Sequence, residues 1–371
     1  MKKRQRIFIT VFIIALLAPN ILFFFLKGYV DTRNFQKKKL SEKPTFSFKN
    51  ICIYPRQYEE YYDDNIAFKN QFVKLNNLIN IKFFHTISSE RVLLGDNNWL
   101  FYKDEDDGDP ISDYQRNNLF SDQQLSSLKD RLEKVEAYLK NKNIKFVLFL
   151  APDKEIMYSE HMPSNIKVEG NITIADQTAK YISENTDIPV IYPKSELLEA
   201  KKKYQIYYKY DTHWNQIGGF IGSQELADKL TGNRLYLKDV KILDESKCSG
   251  DLANMLNLTS YFNDDKMFSI SGFHDDIKVN LVKKTADESY IKYESNALDK
   301  RKILVIRDSF SEAMFDYIPK NFASTVFIHG ESFKPSDIEK ERPDIIVYEG
   351  VERYIEKLQS FTLYNRGRYY N

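Results

Sequence analysis

The sequence predicts an α/β fold, a parallel sheet with helices on both faces, preceded by one N-terminal transmembrane helix. Three observations carry this. Apolar runs without polar alternation, "IKFVLFLAP" (Ile144 to Pro152), "IPVIYP" (Ile188 to Pro193), "KILVIRD" (Lys302 to Asp308) and "DIIVYE" (Asp344 to Glu349), have the character of strands buried on both faces. Segments with helical spacing stand between them, and strands that alternate with helices form parallel sheets. At the start, "IFITVFIIALLAPNILFFFL" (Ile7 to Leu26) is mostly apolar and, at ~1.5 Å per residue, spans the hydrocarbon layer of a bilayer.

Lys2, Lys3, Arg4 and Arg6 precede the apolar run and Lys27 closes it. Positive charge on that side keeps the short N-terminus cytoplasmic and sends the bulk of the chain outside. No small-x-small cleavage site follows, so residues 1–27 read as an uncleaved signal anchor, with a cleaved signal peptide as the alternative. Residues 28–94 read as a linker, polar and basic up to about residue 50, and an N-terminal packing region. Residues 95–371 form the main domain, with an insertion at about 233–300. Within it, "GDNNWLFYKDEDDGDP" gives a turn, a short strand (Trp99 to Tyr102) and an acidic loop without the spacing of a calcium site.

Ser121 and Gln124 have the spacing of a capping box. Leu125, Leu128, Leu132, Val135 and Leu139 then mark one helix face. Ile217, Phe220, Ile221, Leu226 and Leu230 line a second helix that ends near Gly232. Towards the C-terminus "SEAMFDYI" predicts a short helix, "STVFIH" a strand, "PSDIEKE" a helical turn and "VERYIEKLQSF" a helix.

Composition excludes some classes of function. With Lys+Arg at 54 and Asp+Glu at 53, there is no electrostatic case for a nucleic-acid partner. His85, His161, His274 and His329 show no metal-ligand spacing, and a dinucleotide fingerprint, a P-loop and a CxxC are absent, so no metal or cofactor is expected. Cys52 and Cys248 are compatible with a disulfide in an oxidising exterior, but sequence does not bring them within bonding distance.

Ligands of such sheets bind beyond the carboxyl ends of the strands, and chemistry is sought there. "KILVIRDSF" places Ser309 just past Ile306, the last apolar strand position, at the start of a helix. Its hydroxyl projects as a nucleophile with helix amides facing a developing oxyanion, or Ser309 or Asp308 simply caps the helix. In "YDTHWNQIGGF", Asp211 and His213 stand two residues apart, and in an extended segment both point to one side. A serine hydroxyl needs a positioned base, and that base needs a carboxylate to hold its tautomer. The other reading is a loop histidine beside a capping aspartate. Trp214 and Asn215 either line a pocket or serve as core packing and helix cap.

Six blocks, "GDNNWLFY", "APDKEIMYSEHMP", "YDTHWNQIGGF", "SGDLANMLNL", "ILVIRDSFSEAM" and "RPDIIVYEGVERY", resemble in order and context the alginate O-acetyltransferase family of the AlgX/AlgJ type. The resemblance runs from about Gly95 to Tyr354. It implies an SGNH-hydrolase-like domain with an Asp-x-His-Trp signature and a catalytic triad of Ser309, His213 and Asp211. The Asp-His block precedes the serine block, a rearranged order relative to SGNH esterases. It further implies a cell-membrane protein with its catalytic domain extracytoplasmic, transferring acetyl groups to a cell-surface or secreted polysaccharide through an acetyl-serine. The expected partner is a multi-spanning membrane O-acyltransferase that supplies the acetyl group.

The alternatives are a deacetylating esterase on the same triad and a non-catalytic glycan-binding scaffold of an export complex. Arg307 stands where SGNH enzymes have glycine before Asp-Ser. The Ser309 amide is the expected oxyanion donor, with Asn215 or Arg307 as a second. Trp214, Asn215, Arg307 and Arg353 are the substrate-binding candidates; Arg353 either holds substrate or braces the site through Glu352 or Glu349. No carbohydrate-binding appendage is expected after the domain.

Overall fold

The computed structural model describes residues 3–30, 35 and 40–363. Lys2, residues 31–34 and 36–39 of the expected linker, and residues 364–371 lie outside the described residues. The N-terminal apolar run is a helix, Lys3–Leu26, with Pro19 inside it and none of its side chains buried. Among the described residues it is the one helix long and apolar enough to cross a membrane.

In chain order the strands are β1 (Val92–Leu94), β2 (Leu100–Tyr102), β3 (Lys145–Ala151), β4 (Val190–Ile191), β5 (Lys241–Cys248), β6 (Asp265–Ser271), β7 (Val279–Lys284), β8 (Tyr290–Ser295), β9 (Asp299–Arg307), β10 (Phe322–His329) and β11 (Ile345–Val351). Among the described residues seven of them build one sheet, in the order β4-β3-β11-β9-β10-β8-β7. β4, β3, β11, β9 and β10 run parallel. β8 is antiparallel to β10, and β7 to β8. The sheet is therefore mixed, which corrects the expectation of a parallel one. Uninterrupted apolar runs report only strands buried on both faces. The largely exposed β7 leaves no such signal, and an antiparallel edge needs only a short turn to form.

The parallel strands divide their side chains by alternation, as the pleat requires. Val147, Phe149, Ile303, Val305 and Val347 face one way, into a core closed by Trp214, Ile217 and Ile221. Phe146, Leu148, Leu304, Ile306 and Ile346 face the other way, against Leu128, Leu132 and Ile182. Each fully buried side chain of this size contributes roughly 2 kcal/mol. Helices cover both faces: Gln216–Thr231 on the first, Asp122–Lys140 and Ile174–Asn185 on the second. The capping box forms as expected, with the Gln124 amide donating to Ser121 Oγ (3.3 Å) and the Ser121 amide to Gln124 Oε1 (2.9 Å).

Several elements differ from expectation. β4 keeps only Val190 and Ile191 of its apolar run, because Pro189 and Pro193 lack the N–H that a ladder needs. The helices expected after Ser309 and Glu352 are 3₁₀ helices, Ser309–Met314 and Glu352–Ser360. In the second, Ile355 and Leu358, with Phe361 just beyond it, are three apart and share one core, a spacing that suits three residues per turn. β5 and β6 pair in a separate ladder. Among the described residues, Cys52 and Cys248 are both free thiols.

Candidate active site

Ser309 follows β9 at the carboxyl edge of the sheet. Asp308 caps the 3₁₀ turn, with Oδ1 accepting from the Phe310 amide (2.8 Å) and Oδ2 from the Val351 amide of β11 (2.7 Å). The cap is thus Asp308, which leaves the Ser309 hydroxyl available. Trp214 Nε1 donates to the Phe310 carbonyl (2.8 Å). Glu349 Oε2 accepts from the Asp308 amide (3.1 Å) and from Ser311 Oγ (2.6 Å). The turn is held on both sides of the serine.

His213 comes from a loop closed by an antiparallel bridge between Tyr207 and Trp214. The Tyr208 amide donates to the His213 carbonyl (3.1 Å), and the Asn215 amide to that of Ile206 (2.9 Å). The segment is bent, not extended as expected, and no strand of the main sheet leads directly into it. Asp211 folds back, as a short carboxylate can onto the backbone two residues on. Its Oδ1 accepts from the His213 amide (3.0 Å) and lies 2.6 Å from His213 Nδ1. His213 Nε2 lies 2.7 Å from Ser309 Oγ. With the ring N–H on Nδ1 facing the carboxylate, Nε2 accepts from the serine hydroxyl.

The two halves meet because the helix Gln216–Thr231 packs on the serine turn. Asn215 caps that helix, accepting from the amides of Ile217 (3.0 Å) and Gly218 (3.3 Å). A Cβ on Gly219 would lie 2.4 Å from the Ala313 carbonyl oxygen, so only glycine permits this approach.

Several bracing residues carried no assigned role in the sequence. The Asp251 amide donates to Asp211 Oδ2 (2.8 Å), while its own carboxylate accepts from the amide and hydroxyl of Thr212 (both 2.8 Å). Lys154 is buried, and its ammonium donates to the carbonyls of Leu100 (2.6 Å), Lys209 (2.9 Å) and Asp211 (2.8 Å). Glu155 accepts from the Tyr102 amide (2.8 Å). Asp153 takes the Arg353 guanidinium at 2.6 Å, which replaces the Glu352 or Glu349 pairing expected from the sequence. The legible signal was three consecutive charged residues, Asp153 to Glu155, directly after an apolar strand.

Of the residues expected to touch substrate, only Arg307 lines the groove of about 570 Å³ that opens beside Ser309. Trp214, Asn215 and Arg353 are buried. They do not line that groove, and they take the packing, capping and bracing places that the sequence left open for them. The Ser309 amide donates to no protein group among the described residues.

Burial alone pushes the His213 imidazole down, but the Asp211 carboxylate, with its hydrogen bond, and then Asp251 outweigh it, raising it to about 9. Burial pushes Asp211 up; His213 and the amides of Asp251 and His213 hold it well below the ordinary carboxylate range. For Glu349, burial and the charge of Asp308 act together and raise it far above that range. Donor atoms of Asp211, His213 and Asp251 lie within 4.8 Å of one another, a spacing a cation would accept. The oxygens nearest one another are already engaged by N–H and O–H donors, so the set works as a hydrogen-bond network.

Residues 92–276 match the family model described as the SGNH hydrolase-like domain of acetyltransferase AlgX. The matched segment includes Asp211, His213 and Asp251 and ends before Ser309. The chain is 23% identical over 212 residues to a probable alginate O-acetylase AlgJ of Pseudomonas syringae pv. tomato, covering 55% of this chain and 51% of that protein. It thus spans about half the length of the curated relatives it matches. Among solved structures, PatB1 of Bacillus cereus is similar with a TM-score of 0.53 and 18% identity, over 74% of this chain and 98% of that one. A DHHW family protein from Eubacterium siraeum is similar with a TM-score of 0.52 and 14% identity, over 72% and 93% of the two chains. These two likenesses concern the fold.

Proposed function

The chain belongs to the alginate O-acetyltransferase family, through its SGNH hydrolase-like domain, and from that premise we propose that it is a membrane-anchored enzyme adding acetyl groups to hydroxyls of an extracytoplasmic polysaccharide. The observation that carries this reading is the unbroken relay from Asp211 to His213 (2.6 Å) to Ser309 (2.7 Å). In this reading residues 1–27 anchor the protein, 28–94 form a linker and an N-terminal packing region, and 95–371, with an insertion at about 233–300, carry the chemistry. The rearranged order, His213 before Ser309 in the chain, is part of the same reading.

The reaction runs in two displacements. Ser309 Oγ attacks the carbonyl carbon of an acetyl ester as its proton passes to His213 Nε2. The carbonyl oxygen becomes an oxyanion that the unpaired Ser309 amide is able to meet. Collapse expels the donor alcohol, which takes the proton from His213 and leaves acetyl-Ser309. A sugar hydroxyl then attacks the acetyl carbon and gives its proton to His213. The second collapse releases the acetylated sugar, and Ser309 recovers the proton. Asp211 stays ionised throughout and stabilises the imidazolium. The donor is assigned to a multi-spanning membrane acyltransferase, for which the apolar helix Lys3–Leu26 provides co-location.

The full-length protein in detergent, given a chromogenic acetate ester and oligosaccharides, is expected to form acetylated sugar. Free acetate alone indicates an esterase, and no turnover indicates a scaffold. Ser309→Ala should lower acetyl transfer by roughly 10⁴-fold or more with an unchanged circular dichroism spectrum. Undiminished turnover in that variant removes the mechanism.

A further inference from the structure

The groove beside Ser309 has a pronounced charge asymmetry. Asp287, Glu288, Glu312 and Glu331 line it together with a single guanidinium, that of Arg307, and the imidazole of His329. Arg307 is buried and bonds mainly to the protein itself, with its Nε buried and unpartnered among the described residues. Its side chain is 3% exposed, and it donates to the carbonyls of Asp308 (3.2 Å) and Glu288 (2.7 Å) and to Glu312 Oε1 (3.3 Å). Recognition of a carboxylated sugar relies on an Arg or Lys free to pair with it, and this one is buried with most of its donors turned to the protein.

The carboxylates are not all offset. Glu288 pairs with Lys284 (2.6 Å) and Glu312 with Arg307 (3.3 Å). Glu331 has no cationic partner among the described residues. Asp287 accepts from the amide (3.2 Å) and hydroxyl (2.9 Å) of Ser289. A side-chain bond from Thr285 and those from Ser289 hold it down to about 2, so it stays charged wherever the enzyme works. Two uncompensated negative charges therefore flank the path to the proposed nucleophile. Within a Debye length of ~8 Å they repel anions, and the walls of a cleft concentrate that field. The same oxygens accept hydrogen bonds from sugar hydroxyls and from ammonium groups.

We propose that this groove takes a glycan segment without carboxylates, neutral or amine-bearing, and turns away polyuronates; this deepens, and rests on, the acetyl-transfer reading of Ser309. The charge of the acceptor then decides how fast acetyl-Ser309 is discharged, while its formation from a small neutral ester is indifferent to that charge.

The test uses the full-length protein in detergent, charged with 4-nitrophenyl acetate, and follows loss of the acetyl group from the Ser309 peptide by mass spectrometry. Oligomannuronate, cello-oligosaccharide and chitosan oligosaccharide of matched length serve as acceptors. At low salt the neutral and amine-bearing acceptors should discharge the enzyme about ten-fold or more faster than the uronate, and added salt should narrow that ratio. The exposed pair of changes Asp287→Asn and Glu331→Gln should narrow it as well. Equal or faster discharge to oligomannuronate, or a ratio that neither salt nor the double variant moves, overturns the groove assignment and leaves acetyl-Ser309 standing. A serine that is never acetylated, or one that discharges only to water, overturns the transfer reading and this inference with it.

Discussion

Each half of the candidate site is held by two carboxylates, and they work in opposite ways. Around His213, Asp211 and Asp251 face the imidazole ring and N–H or O–H groups of Thr212, His213 and Asp251. Around Ser309, Glu349 accepts from the Asp308 amide and the Ser311 hydroxyl, and its second oxygen has no partner. Glu349 is buried and Asp211 only partly so, yet burial pushes both upward. A titratable ring and several donors overcome it for Asp211, which is held low, whereas for Glu349 burial and the negative charge of Asp308 outweigh its two donors, the Ser311 hydroxyl and the Asp308 amide, and it is raised. The difference teaches that carboxylates at the rim of one sheet become a charge stabiliser or a neutral brace according to the donors they meet.

The sharpest way to break that contrast is Asp211→Asn. The amide keeps the shape and loses the charge, so acetylation of Ser309 should fall by roughly 10⁴-fold in a chain that still melts cooperatively. A rate within ten-fold of the parent would mean the charge on the base side is dispensable. Gly219→Ala attacks the junction between the halves, since the new methyl group meets the Ala313 carbonyl oxygen at 2.4 Å. It should lower stability by about 1–3 kcal/mol and the acetylation rate by on the order of 10²-fold, through misplacement of the serine.

Glu349 tests the neutral brace by a pair of changes. Glu349→Ala strips the acceptor from the Asp308 amide and the Ser311 hydroxyl and should cost about 1–3 kcal/mol in thermal unfolding. Glu349→Gln retains an uncharged acceptor and should cost clearly less. If Gln proves as damaging as Ala, the side chain is a working anion and the contrast collapses.

The smallest effect is on pH. In its proposed role as base His213 must be deprotonated, and its raised value of about 9 means that acetylation should climb from neutral pH towards pH 9. Asp251 is one of the charges that raise it, so Asp251→Asn should move the midpoint of the pH–rate profile downward. An unmoved or upward-shifted midpoint would remove Asp251 from the electrostatics of the base.

Local pattern made much of this protein legible in advance. The apolar runs announced β3, β9 and β11, the five-residue stripe from Leu125 to Leu139 announced a helix that buries that face, and twenty mostly apolar residues announced the N-terminal helix. Asp211, His213 and Ser309 stood out because their residue types are rare together and sat at predicted element ends. Each signal is local, carried by residues close in sequence, where periodicity and side-chain chemistry act directly on the backbone.

What the tertiary structure alone decided is pairing across the chain. It set the mixed edge of the sheet, the fold-back of Asp211, Asp251 behind it, and the Arg353–Asp153 bond between residues 200 positions apart. It also turned Trp214 and Asn215 inward and committed Arg307 to its neighbours. A buried charge takes whichever partner packing brings within hydrogen-bonding reach, because leaving it unpaired costs several kcal/mol. That partner is chosen by the meeting of strand ends in space, which no spacing along the sequence encodes.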